Sequence, residues 1–313
     1  QWDVLVIDEF HHAEASSYKR LLERFDAAEV LGLTATPERA DGVDVRGLFD
    51  GRTAYELRLW DALEQDLLCP FHYYGISDNT DLRDVEWAAG QYNAGALSAI
   101  YTGNDARTFL ILKALREKVL DPTQMRALGF CVSIEHAKYM AKAFSARGLP
   151  SAAIVGTTNP EQRRAFVEQL KSGDLSCIFT VDVFNEGVDI PSVDVVLMLR
   201  PTASSTIFIQ QLGRGLRRSP GKAVLIVLDF VGQHRADFNL SGRFHAMTGL
   251  SRRRLKSDLE VGFPSLPGAS RIVLDEVSRD EVLLSIKQAV NANTKNALAK
   301  DLRLLEEVPK LAA

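Results

Sequence analysis

The sequence predicts an α/β protein, with a parallel sheet covered by helices on both faces. Two observations lead to this prediction. Short aliphatic runs alternate with amphipathic stretches, most regularly over residues 107–232. Runs such as "CIFT" and "VVLML" are apolar throughout, which is typical of strands buried on both faces. The 313 residues are enough for about two domains.

The strands are predicted where apolar runs are short and end at polar residues. In chain order these runs are "DVLVIDE", "EVLGLTATP", "MRALGFCVS", "PSAAIVG", "LSCIFTVD", "VDVVLMLR" and "KAVLIVLDFVG". The stretch "TAYELRLWDALEQDLLCP" begins like a strand and continues as an amphipathic helix.

Helices are predicted where apolar residues recur at helical spacing. These stretches are "SSYKRLLERF", "ARTFLILKALREKVL", "IEHAKYMAKAFSARG", "NPEQRRAFVEQLKSG" and "STIFIQQLGRGLRR". Gly148 is expected at the end of the third stretch. In the fourth, Asn159 is the expected N-cap and Pro160 occupies the first helical position.

After Gly232 the pattern loosens, and residues 236–313 are predicted to form a mostly helical appendage. The expected divisions are therefore 1–70, 71–235 and 236–313. "SRRRLK", at residues 251–256, contains Arg252, Arg253 and Arg254. These arginines form either a phosphate-binding patch or a solvated loop.

Composition excludes several classes of protein. Lys and Arg number 37 and Asp and Glu 41, so the net charge is −4 and any nucleic-acid surface must be local. The three cysteines are far apart, which predicts reduced thiols rather than a zinc site. No apolar run approaches the ~18–20 residues of a membrane span, and no signal peptide is visible. A cytoplasmic location is expected.

The first candidate site is "VLVIDEFHH", in which Asp8 and Glu9 follow an apolar strand. In parallel sheets, ligands bind beyond the carboxyl ends of the strands. Adjacent carboxylates there could hold Mg²⁺ and orient a water molecule toward a γ-phosphate. The alternative is that they merely end a strand or cap a helix.

Two further loops follow predicted strands. "LTATP", at residues 33–37, offers two hydroxyl side chains for carboxylates or phosphates, although a capped turn before proline would look the same. "TVDVFNEGVDIP", at residues 180–191, contains a glycine that permits close backbone approach, although polar loops are common in α/β domains.

A fourth segment, "QQLGRGLRR", is the most specific. The predicted helix carries four residues at spacings i, i+3, i+4 and i+7, namely Gln210, Gly213, Arg214 and Arg217. Residues at these spacings share one helical face. Two arginines on such a face present planar forks to phosphate oxygens. The alternative is a solvated basic helix end.

In this order the motifs resemble those of superfamily-2 helicases and translocases. "DEFH" matches motif II, "TAT" motif III, "GFCVS" the region of motif IV, "TVDVFNEGVDIP" motif V and "QQLGRGLR" motif VI. The resemblance covers roughly residues 1–232 and is nearest to bacterial DExH proteins related to type III restriction subunits. It implies a partial first RecA-like lobe and a complete second lobe.

The resemblance also implies roles for residues in an ATP site between the lobes. Asp8 would hold Mg²⁺ and Glu9 would activate the attacking water, with both carboxylates near the metal. His11 would link hydrolysis to the neighbouring motifs. Gly187 and Asp189 would lie near the nucleotide.

The resemblance implies further roles for residues of motif VI and for a separate group of coupling and nucleic-acid residues. Arg214 and Arg217 would be arginine fingers, supported by Gln210. A second group would couple the nucleotide to nucleic acid or contact its backbone, and comprises Thr34, Thr36, Ser133 and Thr180. DNA is the expected partner, with RNA as the alternative.

The sequence departs from the family pattern at one point, because no GxxxxGK[ST] occurs. The nearest Gly/Lys cluster, "SPGKAV", precedes a strand and lacks the spacing. That loop supplies the phosphate cradle, and in the family it lies upstream of motif II. The chain is therefore expected to need an upstream P-loop half and to be inactive alone. The alternative is a non-catalytic binding or interaction module that retains the helicase fold.

Overall fold

The computed structural model of the chain describes most, but not all, of its residues. The described residues are 2–10, 20, 24–25, 27–34, 49, 51–181, 190–235, 238–264 and 266–288. Four predicted site residues lie outside this set, namely His11, Thr36, Gly187 and Asp189. The predicted helix "SSYKRLLERF" also lies almost wholly outside it.

The strands, numbered in chain order, are β1 (Trp2–Ile7), β2 (Ala27–Gly32), β3 (Phe71–Asp81), β4 (Trp87–Ala88), β5 (Gln91–Tyr92), β6 (Ala127–Phe130), β7 (Ser151–Ile154), β8 (Cys177–Thr180), β9 (Val195–Met198), β10 (Leu225–Gln233) and β11 (Arg271–Leu274). The helices are α1 (Leu59–Glu64), α2 (Ala94–Tyr101), α3 (Asp105–Lys118), α4 (Ile134–Ser145), α5 (Pro160–Ser172), α6 (Ser205–Gly213), α7 (Leu240–Thr248) and α8 (Arg252–Val261). Residues 276–288 are also helical.

The described strands form one large parallel sheet and two small sheets. The large sheet has seven strands in the order β11-β3-β10-β9-β6-β8-β7, and every pairing in it is parallel. β1 and β2 form a separate two-stranded parallel sheet. The predicted α/β class with a parallel sheet is confirmed.

Helices cover both faces of the large sheet. Along β6, Leu128 and Phe130 face a core that contains Phe208 of α6. Ala127 and Cys131 face the opposite core, which contains Phe144 of α4. Successive side chains of a strand point to opposite faces of the sheet, so a strand that is apolar at every position is covered on both faces. None of the helices in the described residues is long and apolar enough to cross a membrane.

The predicted signals at the ends of α5 are observed. The Asn159 side chain accepts a hydrogen bond from the Gln162 amide at 2.8 Å, and Pro160 opens the helix. Gly173 ends it with φ +93°, in the left-handed region that favours glycine. The three predicted free cysteines are free and buried.

The end of α6 differs from the prediction. The sequence predicted a helix through Arg218, but α6 ends at Gly213 and Arg214 is its C-cap. Arg217 therefore does not share a helical face with Gln210. Two glycines in this stretch weaken the helix, and a Cβ on Gly215 would lie 2.3 Å from a methyl carbon of Leu225. The start of "TAYELRLWDALEQDLLCP" was predicted to be a strand, but residues 53–58 contain no strand.

The large sheet and the helices packed on it form what we call the second unit, and β1, β2 and their loops form the first unit. The described part of the predicted appendage shares the core of the second unit. β11 pairs with β3 in the large sheet, and Phe244 of α7 lies in the same apolar cluster as Phe208. In this respect the structure differs from the prediction of a separate appendage. The boundaries at residues 70 and 235 stay predictions.

A buried ion pair joins α7 to the sheet. The Arg243 guanidinium on α7 donates to the Asp229 carboxylate at 2.7 Å, and both side chains are almost fully buried. The Tyr73 hydroxyl donates to the same carboxylate. The guanidinium also lies 5.4 Å from the ring centre of Phe208. The pair therefore connects the segment after residue 235 to β3, β10 and α6.

Replacing Arg243 by methionine is expected to destabilise the protein. The change leaves the Asp229 carboxylate buried without its cation, and breaking a buried pair in this way costs about 3–5 kcal/mol. The measurement is the free energy of unfolding in urea. Arg253→Met, at an exposed position on α8, is the matched control and should change this free energy by less than about 0.5 kcal/mol. Equal small losses in the two variants would contradict the assigned role of the pair.

Candidate functional site

The first part of the site lies where β1 and β2 end. The Leu33 amide donates to the Ile7 carbonyl at 2.8 Å, and the Phe10 amide donates to the Leu33 carbonyl at 2.8 Å. These bonds hold the loop that contains Asp8 and Glu9 beside the loop that leads to Thr34. The structure therefore brings together the predicted carboxylates and one predicted hydroxyl residue.

A close contact between an aromatic ring and a glycine fixes these two loops. Phe10 is 1% exposed and packs against Phe49, with ring centres 4.9 Å apart. A Cβ on Gly32 would lie 2.7 Å from the Phe10 ring, so only glycine leaves room for the ring at this point. Gly32 directly precedes the "LTATP" segment but was not among the residues predicted for the site.

The two carboxylates differ in exposure and conformation. Asp8 is exposed and its carboxylate accepts a hydrogen bond from the Glu9 amide at 2.9 Å. Glu9 is half-buried and has φ +49°, a conformation that non-glycine residues seldom adopt and that often marks functional sites. The two consecutive side chains therefore differ in exposure, although they follow the same strand.

The carboxylates fit a magnesium ion that is shared with phosphates. Mg²⁺ in phosphate-transfer sites is held by one or two carboxylates, and water and substrate phosphates complete its coordination. Asp8 and Glu9 can supply that number. No group of three or more His, Cys, Asp or Glu side chains that could hold a metal is found among the described residues.

The second part of the site lies at the carboxyl ends of β6 and β8. The Cys131 amide donates to the Thr180 carbonyl at 2.8 Å, which brings the two strand ends together. Ser133 caps α4 by accepting from the His136 amide at 3.1 Å and is 2.6 Å from the Ser98 hydroxyl. Thr180 is fully buried, so its side chain does not form surface in this conformation. The predicted phosphate contacts of Ser133 and Thr180 stay predictions.

A buried cation lies behind this edge and was not identified in the sequence. The Arg107 guanidinium donates to Asp78 at 2.7 Å and to the Leu199 carbonyl at 3.2 Å. It also stacks 4.0 Å above the centre of the Tyr101 ring. Arg107 thus joins α3 to β3 and to the end of β9, and it fixes the frame on which the strand-end loops lie.

Burial, together with the same buried cation, keeps a histidine neutral. His136 is fully buried and stacks on Tyr101, with ring centres 5.6 Å apart. Burial and the nearby Arg107 lower the pKa of His136 to about 3. Because the Val132 amide donates to Nδ1 at 3.4 Å, the neutral ring carries its proton on Nε2. This histidine is a structural element of the strand-end loop.

The motif VI arginines lie at the opposite end of the sheet. The Cys69 amide, just before β3, donates to the Leu216 carbonyl at 2.7 Å, and the Leu225 amide opens β10 beside Pro70. Arg214 and Arg217 lie in the turn that follows α6, where Arg214 is half-buried and Arg217 is exposed. Gln210 lies half-buried on α6. A strand of four residues spans about 13 Å, so these arginines are well separated from Ser133 and Thr180.

The second unit therefore has two candidate functional edges. Ser133 and Thr180 lie where the strands end, and Arg214 and Arg217 lie where they begin. The motif V segment connects these edges, because it starts at Thr180 and reaches Pro191, whose carbonyl accepts a hydrogen bond from Lys222 beside the arginine turn. From the sequence, the arginines were predicted to serve the nucleotide, and Ser133 and Thr180 to contact nucleic acid. The separation of the two groups at opposite edges of the sheet was not predicted.

The fold and the order of these elements define a class: a RecA-like α/β unit of the helicase type, preceded by a strand–carboxylate segment. A family model for the helicase conserved C-terminal domain matches residues 111–219, and one for the type III restriction enzyme, res subunit, matches residues 1–39. The chain resembles the superfamily-2 helicases and translocases, and restriction subunits among them.

Individual relatives agree with this assignment. IRC3 of Saccharomyces cerevisiae, which is named as an ATP-dependent helicase, is 28% identical over 236 residues, which cover 74% of this chain and 34% of the relative. The DNA 3'-5' translocase XPB2 of Sulfurisphaera tokodaii is 24% identical over 279 residues, which cover 78% of this chain and 62% of XPB2.

A solved structure supports the fold. The ATP-dependent type ISP restriction-modification enzyme LlaBIII, bound to DNA, superposes with a TM-score of 0.61 at 15% identity. That match covers 93% of this chain and 23% of LlaBIII. The chain likewise spans only 34%, 38% and 50% of the length of three curated relatives.

Proposed function

We propose that this chain is the motif II to motif VI part of an ATP-dependent DNA helicase or translocase that acts in restriction or repair. The observation that carries the proposal is the pairing of two loops by backbone hydrogen bonds at the ends of β1 and β2. This pairing brings Asp8 and Glu9 beside the segment that leads to Thr34, and one or two carboxylates are what Mg²⁺ commonly uses in phosphate-transfer sites.

In this proposal the residues of the two units act on one nucleotide. ATP with Mg²⁺ would supply the phosphoryl group and much of the charge neutralisation. Asp8 would bind the ion, and the half-buried Glu9 would accept a proton from the attacking water. Arg214 and Arg217, in a turn held by its own hydrogen bonds, would stabilise the charge that develops on the transferred phosphoryl group. Gln210, His11, Gly187 and Asp189 retain their expected supporting roles within this proposal.

The first unit also has a surface that fits a further partner. Parallel sheets are normally covered on both faces, and two strands alone are marginally stable. Here Val4 is 52% exposed, Val6 54% and Leu33 45%. A segment that carries the missing phosphate-binding loop, together with neighbouring strands, would bury this apolar surface. We therefore include an upstream P-loop half of the same protein as the partner of β1 and β2.

The second edge would hold the nucleic acid. Ser133 and its neighbours at the ends of β6 and β8 would contact the phosphate backbone, and such contacts position a strand without reading its sequence. The naming of XPB2 as a DNA translocase, and the match of residues 1–39 to a restriction subunit, favour DNA over RNA. Thr34 and Thr36 would couple this edge to the nucleotide.

The test uses a protein in which this chain is joined to a segment carrying GxxxxGK[ST]. ATP hydrolysis is measured without nucleic acid, with duplex DNA and with duplex RNA. We expect duplex DNA to raise the rate of ATP hydrolysis more than duplex RNA does. The chain alone is expected to hydrolyse no ATP. If only duplex RNA raised the rate of ATP hydrolysis, the nucleic-acid partner would be RNA instead of DNA.

One observation favours a second candidate, a non-catalytic module that keeps the fold, because the sequence contains no GxxxxGK[ST]. In that case the joined protein would bind DNA but hydrolyse no ATP under any of these conditions. The same experiment therefore decides between the two candidates.

A further inference from the structure

Lys222 lies between two segments of the candidate site. Its ammonium donates to the Gly215 carbonyl, to the Arg217 carbonyl at 2.9 Å and to the Pro191 carbonyl at 3.3 Å. Two of these carbonyls belong to the turn that follows α6. The third lies at the end of the motif V segment. A single side chain thus holds the end of motif V and the arginine turn of motif VI together.

All the hydrogen-bonding capacity of this ammonium is used inside the protein. A lysine ammonium has three donors, and three carbonyls accept from it here. Burial lowers the pKa of Lys222, because the low-polarity surroundings disfavour its charge. A lysine that follows Pro and Gly suggests a phosphate ligand, but this one has no donor left for a phosphate.

The turn is also held from its other side. The Leu216 carbonyl accepts from the Cys69 amide at 2.7 Å. The Arg218 guanidinium donates to the Asp66 carbonyl and lies 3.5 Å from the Asp66 carboxylate. Those contacts attach the turn to the segment before β3. Lys222 differs from them because it also reaches the motif V segment and binds the carbonyl of Arg217 itself.

We propose that Lys222 is a positioning residue that fixes the direction of Arg217, and with it Arg214, relative to the end of motif V. The effect of Lys222 on catalysis rests on the proposed function, because Lys222 acts through the arginines. Its structural content, the ordering of the turn at residues 214–218, is independent of ATP. Lys222 does not itself touch the nucleotide.

The first experiment measures hydrogen–deuterium exchange of the backbone amides of residues 214–218 in this chain. Lys222→Met should raise their exchange at least about tenfold, while the amides of β6 keep the wild-type rate. Lys222→Arg, which keeps the charge, should give an intermediate rate. Lys171→Met, which removes an exposed pair to Glu168, is the matched control and should change nothing at the turn. Exchange in Lys222→Met within twofold of wild type would overturn the proposal.

The second experiment measures ATP hydrolysis by the protein joined to a P-loop segment. Lys222→Met should lower kcat about 10²-fold, which is the loss expected for misplacing a catalytic group by about 1 Å, with KM nearly unchanged. Adding Lys222→Met to the variant with both Arg214→Ala and Arg217→Ala should cause no further loss, because Lys222 acts through these two arginines. Losses that multiply would overturn positioning through the arginines. If exchange responds as expected but the wild-type protein hydrolyses no ATP, the proposed function fails and the ordering of the turn stands.

Discussion

Replacing Arg217 by alanine in the P-loop-joined protein is expected to lower kcat for ATP hydrolysis about 10³–10⁵-fold. The same range is expected for Arg214→Ala. The physical reason is that an arginine finger contributes only when charge spreads over the transferred phosphoryl group, so its loss affects kcat far more than nucleotide affinity. Lysine at either position should restore little, because an ammonium cannot make the paired contacts of a guanidinium.

The control for the arginine variants is Arg164→Ala, because Arg164 is an exposed arginine on α5, away from the turn. This variant should keep the wild-type kcat. The measurement is steady-state ATP hydrolysis with saturating duplex DNA. A loss of less than tenfold in both Arg214→Ala and Arg217→Ala would remove these residues from the catalytic machinery.

Glu9→Gln is expected to lower DNA-stimulated ATP hydrolysis about 10²–10⁴-fold, the usual contribution of a positioned general base. Glutamine has nearly the same shape but cannot accept the proton from the attacking water. Binding of ATP with Mg²⁺ should therefore stay within a few-fold of wild type, and the protein should accumulate in its ATP-bound state. Both quantities are measured in the P-loop-joined protein, by hydrolysis rate and by nucleotide titration.

Glu29→Gln is the matched control for this variant, since Glu29 is an exposed carboxylate on β2. It should hydrolyse ATP at the wild-type rate. An unchanged rate in Glu9→Gln would assign water activation to another residue and leave Glu9 with a structural role only.

Local signals in the sequence predicted much of the fold. Apolar runs that end in polar residues correspond to strands β1, β2 and β6–β10, and the Asn159–Pro160 pair marks the start of α5. The position of Asp8 and Glu9 directly after β1 was predictable because a strand end is a local property. The adjacency of the two loops followed only from the parallel pairing of β1 with β2.

Other features depend on contacts between distant residues. α6 ends at Gly213, and the turn that follows is packed against Leu225 at Gly215 and hydrogen-bonded by Lys222 through its carbonyls. No periodicity in "STIFIQQLGRGLRR" contains that information.

The buried ion pairs were hidden for the same reason. The partners in the pair formed by Arg107 and Asp78 are distant in sequence, and so each charged residue looks like ordinary surface. The pair formed by Arg243 and Asp229 likewise connects a segment with a weak sequence pattern to the core.

We infer that the carboxylates after β1 and the arginines after α6 serve one ATP site. The most direct test is a double-mutant cycle of Glu9→Gln and Arg217→Ala, with ATP hydrolysis measured in the P-loop-joined protein in the presence of duplex DNA. We expect the double variant to lose about as much activity as the more damaging single variant, because residues that act as a unit are not additive. Losses that multiply, or a single variant with the wild-type rate, would contradict it.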